Sequence, residues 1–241
     1  YKTDYASDFQ NIELQVTFPP EATPNASFTA ASDNSGTLSK VDTSMKYSVD
    51  GGNTWNAVTG ATMELNGVTA DNDVKIYKPG NGTTTSDSEI QTIDVTQAAQ
   101  PTGLGKVDCT TLEQNNGQIT GVSSTMEYMV STASEWTAIT GNTVTGLANG
   151  TYYVRVKANG TVLASAPANI TIGKHTCVAQ GDWQYDGDKH WKLCACGAKV
   201  DEAVHSGGIA TCIASPVCEV CSQPYGEKNP SNHTGNEAWI T

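Results

Sequence analysis

Apolar and polar residues alternate in short runs over most of the first 173 positions, as in Met45-Lys46-Tyr47-Ser48-Val49, Thr143-Val144-Thr145 and Tyr153-Val154-Arg155-Val156. Successive side chains of a strand point to opposite faces, so a period of two marks half-buried antiparallel strands. Turn residues separate the runs: Asp50-Gly51-Gly52, Gly60, Asn149-Gly150 and Asn159-Gly160. No stretch carries the apolar spacing of a helix. The pattern predicts an all-β chain.

The runs recur. Asn34–Gly60, "NSGTLSKVDTSMKYSVDGGNTWNAVTG", aligns without gaps on Asn115–Gly141, "NNGQITGVSSTMEYMVSTASEWTAITG", at an offset of 81. Gly36 falls on Gly117, Met45 on Met126, Tyr47 on Tyr128 and Trp55 on Trp136. Further on, "DVKIYKPGNG" matches "YVRVKANG" with one residue's shift. A repeat of roughly 75–80 residues of such strands suits a small immunoglobulin-like or fibronectin-type sandwich. This predicts one β-sandwich over residues 1–97 and a second over 98–173, with Trp55 and Trp136 in their cores. Residues 1–19 form a lead-in, where "NIELQVTF" reads as a first strand or as the end of a preceding module. Cys109 stands where the first repeat has Phe28. It reads as a small buried hydrophobe, with a reactive or intermolecular thiol as the alternative.

The repeat unit, best preserved in "GNTVTGLANGTYYVRVKANGTVLASAPANITIG", resembles sandwich repeats of large surface proteins of Gram-positive gut anaerobes. The resemblance covers about residues 20–173 and implies stalks and adhesive modules.

Ser48–Trp55, "SVDGGNTW", fits the Asp-box pattern of sialidases, S-x-D-x-G-x-T-W. The equivalent stretch of the second repeat, "MVSTASEW", keeps the Trp but has Ser131, Ala133 and Glu135 in place of Asp50, Gly52 and Thr54. A function resting on Asp50 would not survive in its twin, whereas a hairpin turn can use either sequence. A sialidase would also need an arginine triad, and the chain has only Arg155. The octapeptide is therefore read as a hairpin.

From His175 the composition changes. All four histidines and six of the seven cysteines fall between residues 174 and 241, with few aliphatic residues to build a core. So short a segment needs cross-links or metal. Cys212-x5-Cys218-Glu-Val-Cys221-x11-His233 offers three thiolates and an imidazole, a closed tetrahedral set for structural zinc. A second ion is expected at Cys194, Cys196 and His205, with His175 or His190 as the fourth ligand and Cys177 buried or replacing one of these. Disulfides are the rival in an extracellular setting. Histidines alternating with cysteines are accounted for by zinc and are a coincidence under disulfides. The segment also resembles the small zinc-ribbon-like Cys/His repeats of secreted proteins of gut clostridia, over about residues 175–236. That resemblance implies a compact zinc-held module of one or two ions over 174–241, placed beside sandwich repeats.

No H-E-x-x-H, G-x-S-x-G or phosphate-cradling glycine loop appears. Three thiolates would weaken a metal as a Lewis acid, so the expectation is non-enzymatic. The acid pairs Asp71/Asp73 and Asp186/Asp188 lie in turn-like sequence, with calcium as the alternative to a turn role. A net charge of -12 argues against nucleic acid, which requires clustered Lys and Arg. No run approaches the ~18 apolar residues of a membrane span. The opening "YKTDYASDF" has no Met, basic n-region or apolar h-region, and reads as a piece of a longer protein.

The expected function is extension and adhesion by a segment of a secreted or wall-attached bacterial surface protein. Its partners would be a host protein or glycan, with mucin and immunoglobulin as candidates, and neighbouring repeats of the same chain. The alternatives are a passive spacer and an accessory carbohydrate-binding module of a glycoside hydrolase, using aromatics such as Trp183 or Trp191.

Overall fold

The computed structural model describes residues 17–233. Among them no helix forms, and the candidate strand at 11–18 lies mostly outside them. The first sandwich packs a three-stranded sheet on a four-stranded one. Strands β1 (Ser27–Ala30), β2 (Ser35–Ser39) and β5 (Thr62–Asn66) form the first sheet, in the order β1-β2-β5. Strands β3 (Lys46–Ser48), β4 (Asn56–Ala57), β6 (Val74–Tyr77) and β7 (Gln91–Ile93) form the second, in the order β4-β3-β6-β7. After a short linker strand β8 (Thr96–Gln97), the second repeat gives the same answer. Its first sheet is β13-β10-β9, from β9 (Gly105–Val107), β10 (Gly117–Thr120) and β13 (Thr143–Leu147). Its second is β12-β11-β14-β16, from β11 (Met126–Val130), β12 (Thr137–Ala138), β14 (Gly150–Val156) and β16 (Ala168–Ile172). Every pairing within these four sheets is antiparallel. Placing the short strands β4 and β12 on the four-stranded sheet is the fibronectin-type arrangement.

Alternation along the strands delivers the cores. In β6, Val74 and Ile76 are fully buried while Lys75 and Tyr77 face outward. The first core gathers Phe28, Leu38, Leu65, Val68, Val74 and Ile76. The second gathers Ile119, Val122, Ile139, Leu147, Tyr152, Val154 and Ile172, together with Cys109. Cys109 is therefore buried as a hydrophobe.

The two tryptophans depart from expectation, because neither joins a core. Each follows a hairpin turn and lies half-buried on the outer face of the four-stranded sheet. Trp55 packs edge-on against Tyr77 at 4.6 Å. Trp136 lies under the Arg155 guanidinium at 4.0 Å, with Arg155 itself bonded to Glu127 at 2.7 Å. Each indole thus packs against a neighbour on the outer face of its sheet.

The Asp-box hairpin explains its own sequence. The Asp50 carboxylate accepts hydrogen bonds from the Ser48 hydroxyl (2.7 Å), the Thr54 N–H (2.9 Å) and the Thr54 hydroxyl. Those bonds hold its pKa far below the usual carboxylate range, with the Thr54 hydroxyl contributing most. Gly51 and Gly52 take positive φ (75° and 99°), which a Cβ would oppose.

The structure also shows a joint that the repeat alignment does not. The loop between β14 and β16 carries a short strand, β15 (Val162–Leu163), which pairs in parallel with β8 of the linker. Its tip reaches the first sandwich: the Ala30 N–H donates to the Gly160 carbonyl (2.8 Å) and the Ala164 N–H to that of Ser32 (3.0 Å). Leu163, from the second repeat, is fully buried in the first core. Arg155 also faces Asp33 of the first sandwich at 3.7 Å. The corresponding loop of the first repeat meets the end of the lead-in in a similar way, with a parallel bridge between Ser86 and Pro20 and the Ser86 N–H donating to the Pro19 carbonyl (3.0 Å).

Candidate metal centre

The terminal segment forms one antiparallel meander, β17 (Gln180–Tyr185), β18 (Lys189–Leu193) and β19 (Lys199–Val204), in the order β17-β18-β19. Register decides which ligands meet. In the β18–β19 pairing His190 lies opposite Ala203, so His205, two residues on, shares its face of the sheet. At the other end, Gln180 pairs with Leu193, which brings the residues just before β17 to the turn that follows β18.

Two clusters result, each with four ligand atoms within 4.8 Å of one another: His175, Cys177, Cys194 and Cys196, and His190, His205, Cys218 and Cys221. At the first, His175 Nε2 lies 3.2 Å from Cys194 Sγ and 3.3 Å from Cys177 Sγ, and the sulfurs of Cys177 and Cys196 are 3.5 Å apart. At the second, His190 Nδ1 is 3.6 Å from Cys218 Sγ and His205 Nδ1 is 3.4 Å from Cys221 Sγ. Zinc with Zn–N near 2.0 Å and Zn–S near 2.3 Å gives tetrahedral edges of about 3.5–3.8 Å, so these spacings fit. No disulfide links any two of the seven cysteines in this structure.

The division differs from the one read off sequence order. Cys218 and Cys221 are joined by His190 and His205, not by Cys212 and His233, and Cys177 and His175 both stand with Cys194 and Cys196. Cys212 is half-buried, with its N–H bonded to the Asn232 carbonyl, and the neighbouring His233 is exposed. Neither belongs to a cluster among the described residues. The reason is geometric. Sequence order groups near neighbours, whereas the antiparallel register brings together His190 and His205 from separate strands. The acid pairs also belong to neither cluster. Asp186 spends its carboxylate on the N–H groups of Asp188 and Lys189, closing the β17–β18 turn.

The surroundings orient the ligands. The Asp186 carbonyl holds His205 Nε2 at 3.0 Å, leaving Nδ1 for the thiols, which is the usual way a ligand imidazole is fixed. That carbonyl, followed by Cys218, raises the His205 pKa. Tyr225 stacks on His205 at 5.2 Å and donates its hydroxyl to the Gly207 carbonyl, and Trp183 meets His190 edge-on at 4.8 Å. Burial opposes ionisation of Cys218, but the N–H groups of Cys221, Ser206 and Val220 and the His205 ring outweigh it, bringing the thiol down to about 5. At Cys194 burial is likewise outweighed, by Cys177, Cys196 and His175, and the thiol falls to about 6. Cys177, donating to Cys194 and partly buried beside Cys196, is pushed up to about 12. Each site thus holds one thiol made more acidic by its neighbours before any cation binds.

These shifts fix a pH dependence. A thiol with a folded pKa below its unfolded value of about 8.5 stabilises the fold fully above pH 8.5, and that stability drains away as the pH falls through the folded pKa. Protons also compete directly with metal for thiolates. The terminal module is therefore expected to lose stability progressively as the pH falls from about 8.5, and bound metal shifts its unfolding to the acid end of that range. The sandwiches, whose depressed groups are carboxylates such as Asp50 and Asp108, should hold until about pH 4. Amide spectra recorded across this range would show the terminal resonances collapsing first.

The sequence matches no protein-family description, and no curated protein is similar enough to count as a relative. Among solved structures, the FN1–FN3 domains of chicken CNTN1 align at 12% identity over 73% of this chain and 74% of that one, with a TM-score of 0.24. A two-domain fibronectin type III segment of chicken tenascin aligns at 15% identity over 63% and 98%, also with a TM-score of 0.24. The fold assignment rests on the strand order above. The chain is all-β, with two fibronectin-like sandwiches followed by a Cys/His module whose clusters could hold metal ions.

Proposed function

We propose that the chain is a non-enzymatic, extended and adhesive segment of a bacterial surface or secreted protein, its last module held together by two structural zinc ions. The tandem sandwiches support the extended, adhesive part of this reading, and the observation that carries its zinc part is the make-up of the terminal module. Between residues 174 and 233 the buried side chains are His190, Cys194, His205, Cys218 and Cys221, all of them members of the two clusters. A module whose interior is its ligand set has the design of a structural zinc domain, in which metal supplies the folding energy. Four protein ligands at each site leave no open position for a substrate. Zinc fits better than disulfides because each cluster mixes imidazole with thiol at tetrahedral spacing.

The ligand is a host protein or glycan, with mucin and immunoglobulin as candidates. In the accessory carbohydrate-binding reading, Trp183 and Trp191 are poor platforms. Lys192 sits 5.2 Å over Trp183, and Lys199 sits 3.3 Å over Trp191. That reading is favoured at one other place, a pocket of about 320 Å³ lined by Trp55, Tyr77, Asp87, Ser88 and Ile90. The test is capture from host mucosal secretions together with a glycan array, using the intact chain and its Trp55→Ala variant. Retention of a mucin or an immunoglobulin supports adhesion. Array binding lost in Trp55→Ala supports the carbohydrate module. No binding in either format leaves the passive spacer.

A further inference from the structure

The two clusters are not equivalent in position. The second is enclosed by the terminal module: His190 lies on β18, His205 follows β19, and Cys218 and Cys221 belong to the closing loop. All four residues are buried. The first lies at the joint between two bodies. Cys194 and Cys196 sit in the β18–β19 turn, where Gly197 (φ 84°) allows its N–H to reach the Cys194 carbonyl. His175, in contrast, opens the terminal segment while its backbone is bound to the second sandwich. Its N–H donates to the Gln114 side-chain carbonyl (2.6 Å), and the Gln114 amide donates back to the His175 carbonyl (3.0 Å). Two residues earlier, Gly173 is fixed to the same sandwich by its N–H to Asp108 (2.6 Å) and by its carbonyl, which accepts the Cys109 N–H (3.0 Å).

Among the described residues, the hydrogen bonds joining the second sandwich to the terminal module run through His175. That contrasts with the joint between the sandwiches, where a buried leucine, a parallel strand pair and an ion pair lock the bodies directly. We propose that the His175, Cys177, Cys194 and Cys196 site is an inter-module clasp. A zinc ion there ties the second sandwich to the terminal module and sets their relative orientation, while the other site folds the terminal module itself. The clasp rests on the zinc reading above. His175, Cys177 and Cys196 are only half-buried, so this ion is also the more accessible to chelators and exchange.

The test uses the full chain, nitrogen-15 relaxation and zinc counted by native mass spectrometry. The intact protein should carry two zinc ions, and its second sandwich and terminal module should share one rotational correlation time. Cys194→Ser/Cys196→Ser should carry one zinc and keep dispersed terminal resonances, while the terminal module's correlation time drops well below the sandwich's. Gln114→Ala, which touches no ligand side chain, should keep both ions and loosen the joint in the same direction by less. A one-zinc double variant that still tumbles as one body overturns the clasp alone, and so does a double variant whose terminal module unfolds. An intact protein that is folded without zinc overturns the zinc reading, and the clasp with it.

Discussion

Cys218→Ala is expected to unfold the terminal module and leave both sandwiches folded. No aliphatic side chain between residues 174 and 233 is buried, and Val178, Val204, Ile209 and Ile213 are all more than 60% exposed. The meander therefore has no apolar interior to fall back on. A segment of this size buries too little surface to offset its chain entropy unaided, while structural zinc contributes on the order of 10 kcal/mol of apparent binding free energy. Removing Cys218 leaves three ligands and opens the most buried corner of the site. Amide resonances from about residue 180 onward should collapse into the unfolded range, and those of residues 20–172 should stay in place. A variant whose terminal amides remained dispersed would show that the sheet stands without its metal.

Leu163→Ala is expected to destabilise the first sandwich, although the residue belongs to the second. The side chain is fully buried among Phe28, Leu38, Val95 and their neighbours. Truncating a buried leucine costs about 2–5 kcal/mol, the spread reflecting how far the cavity can collapse. Here the cavity opens at a joint, so the loss falls on the first core and on the coupling between the bodies. Calorimetry should show the first sandwich melting earlier, and a transition shared in the intact chain splitting in two. A variant in which only the second sandwich weakened would place Leu163 wrongly.

Much of the fold was legible because strand alternation and the 81-residue repeat are local signals. Met45 aligned with Met126 and Tyr47 with Tyr128, and both stretches became the third strand of their sandwich. The tryptophans misled because size argues for burial. Trp136 instead covers its face with Arg155, and Trp55 leans on Tyr77. Both solutions depend on cross-strand neighbours that spacing does not name. The inter-sandwich joint was hidden for a similar reason: Leu163 alternates like any other strand residue, and nothing in the chain says that its loop is inserted into another body. The buried serines show the opposite case, a repeat feature outside the gapless block. The Ser88 hydroxyl accepts the Lys78 N–H, and the Ser165 hydroxyl accepts the Val156 N–H, each at 2.9 Å.

At the candidate metal centre the residue types were legible and their partition was not. Cys194-Ala-Cys196 and Cys218-x-x-Cys221 each stayed together, since a tight turn suffices to pair them. The histidines were assigned by register: His190 faces Ala203, and His205 follows on the same side. His175 was drawn in by a glutamine 61 positions earlier.

The most direct test of the two-zinc account is the metal content of the folded chain, measured by native mass spectrometry with elemental analysis. The account predicts two zinc ions per chain, both lost on chelation together with the dispersion of the terminal amides. A folded chain with no zinc, whose thiols appear only after reduction, would contradict it.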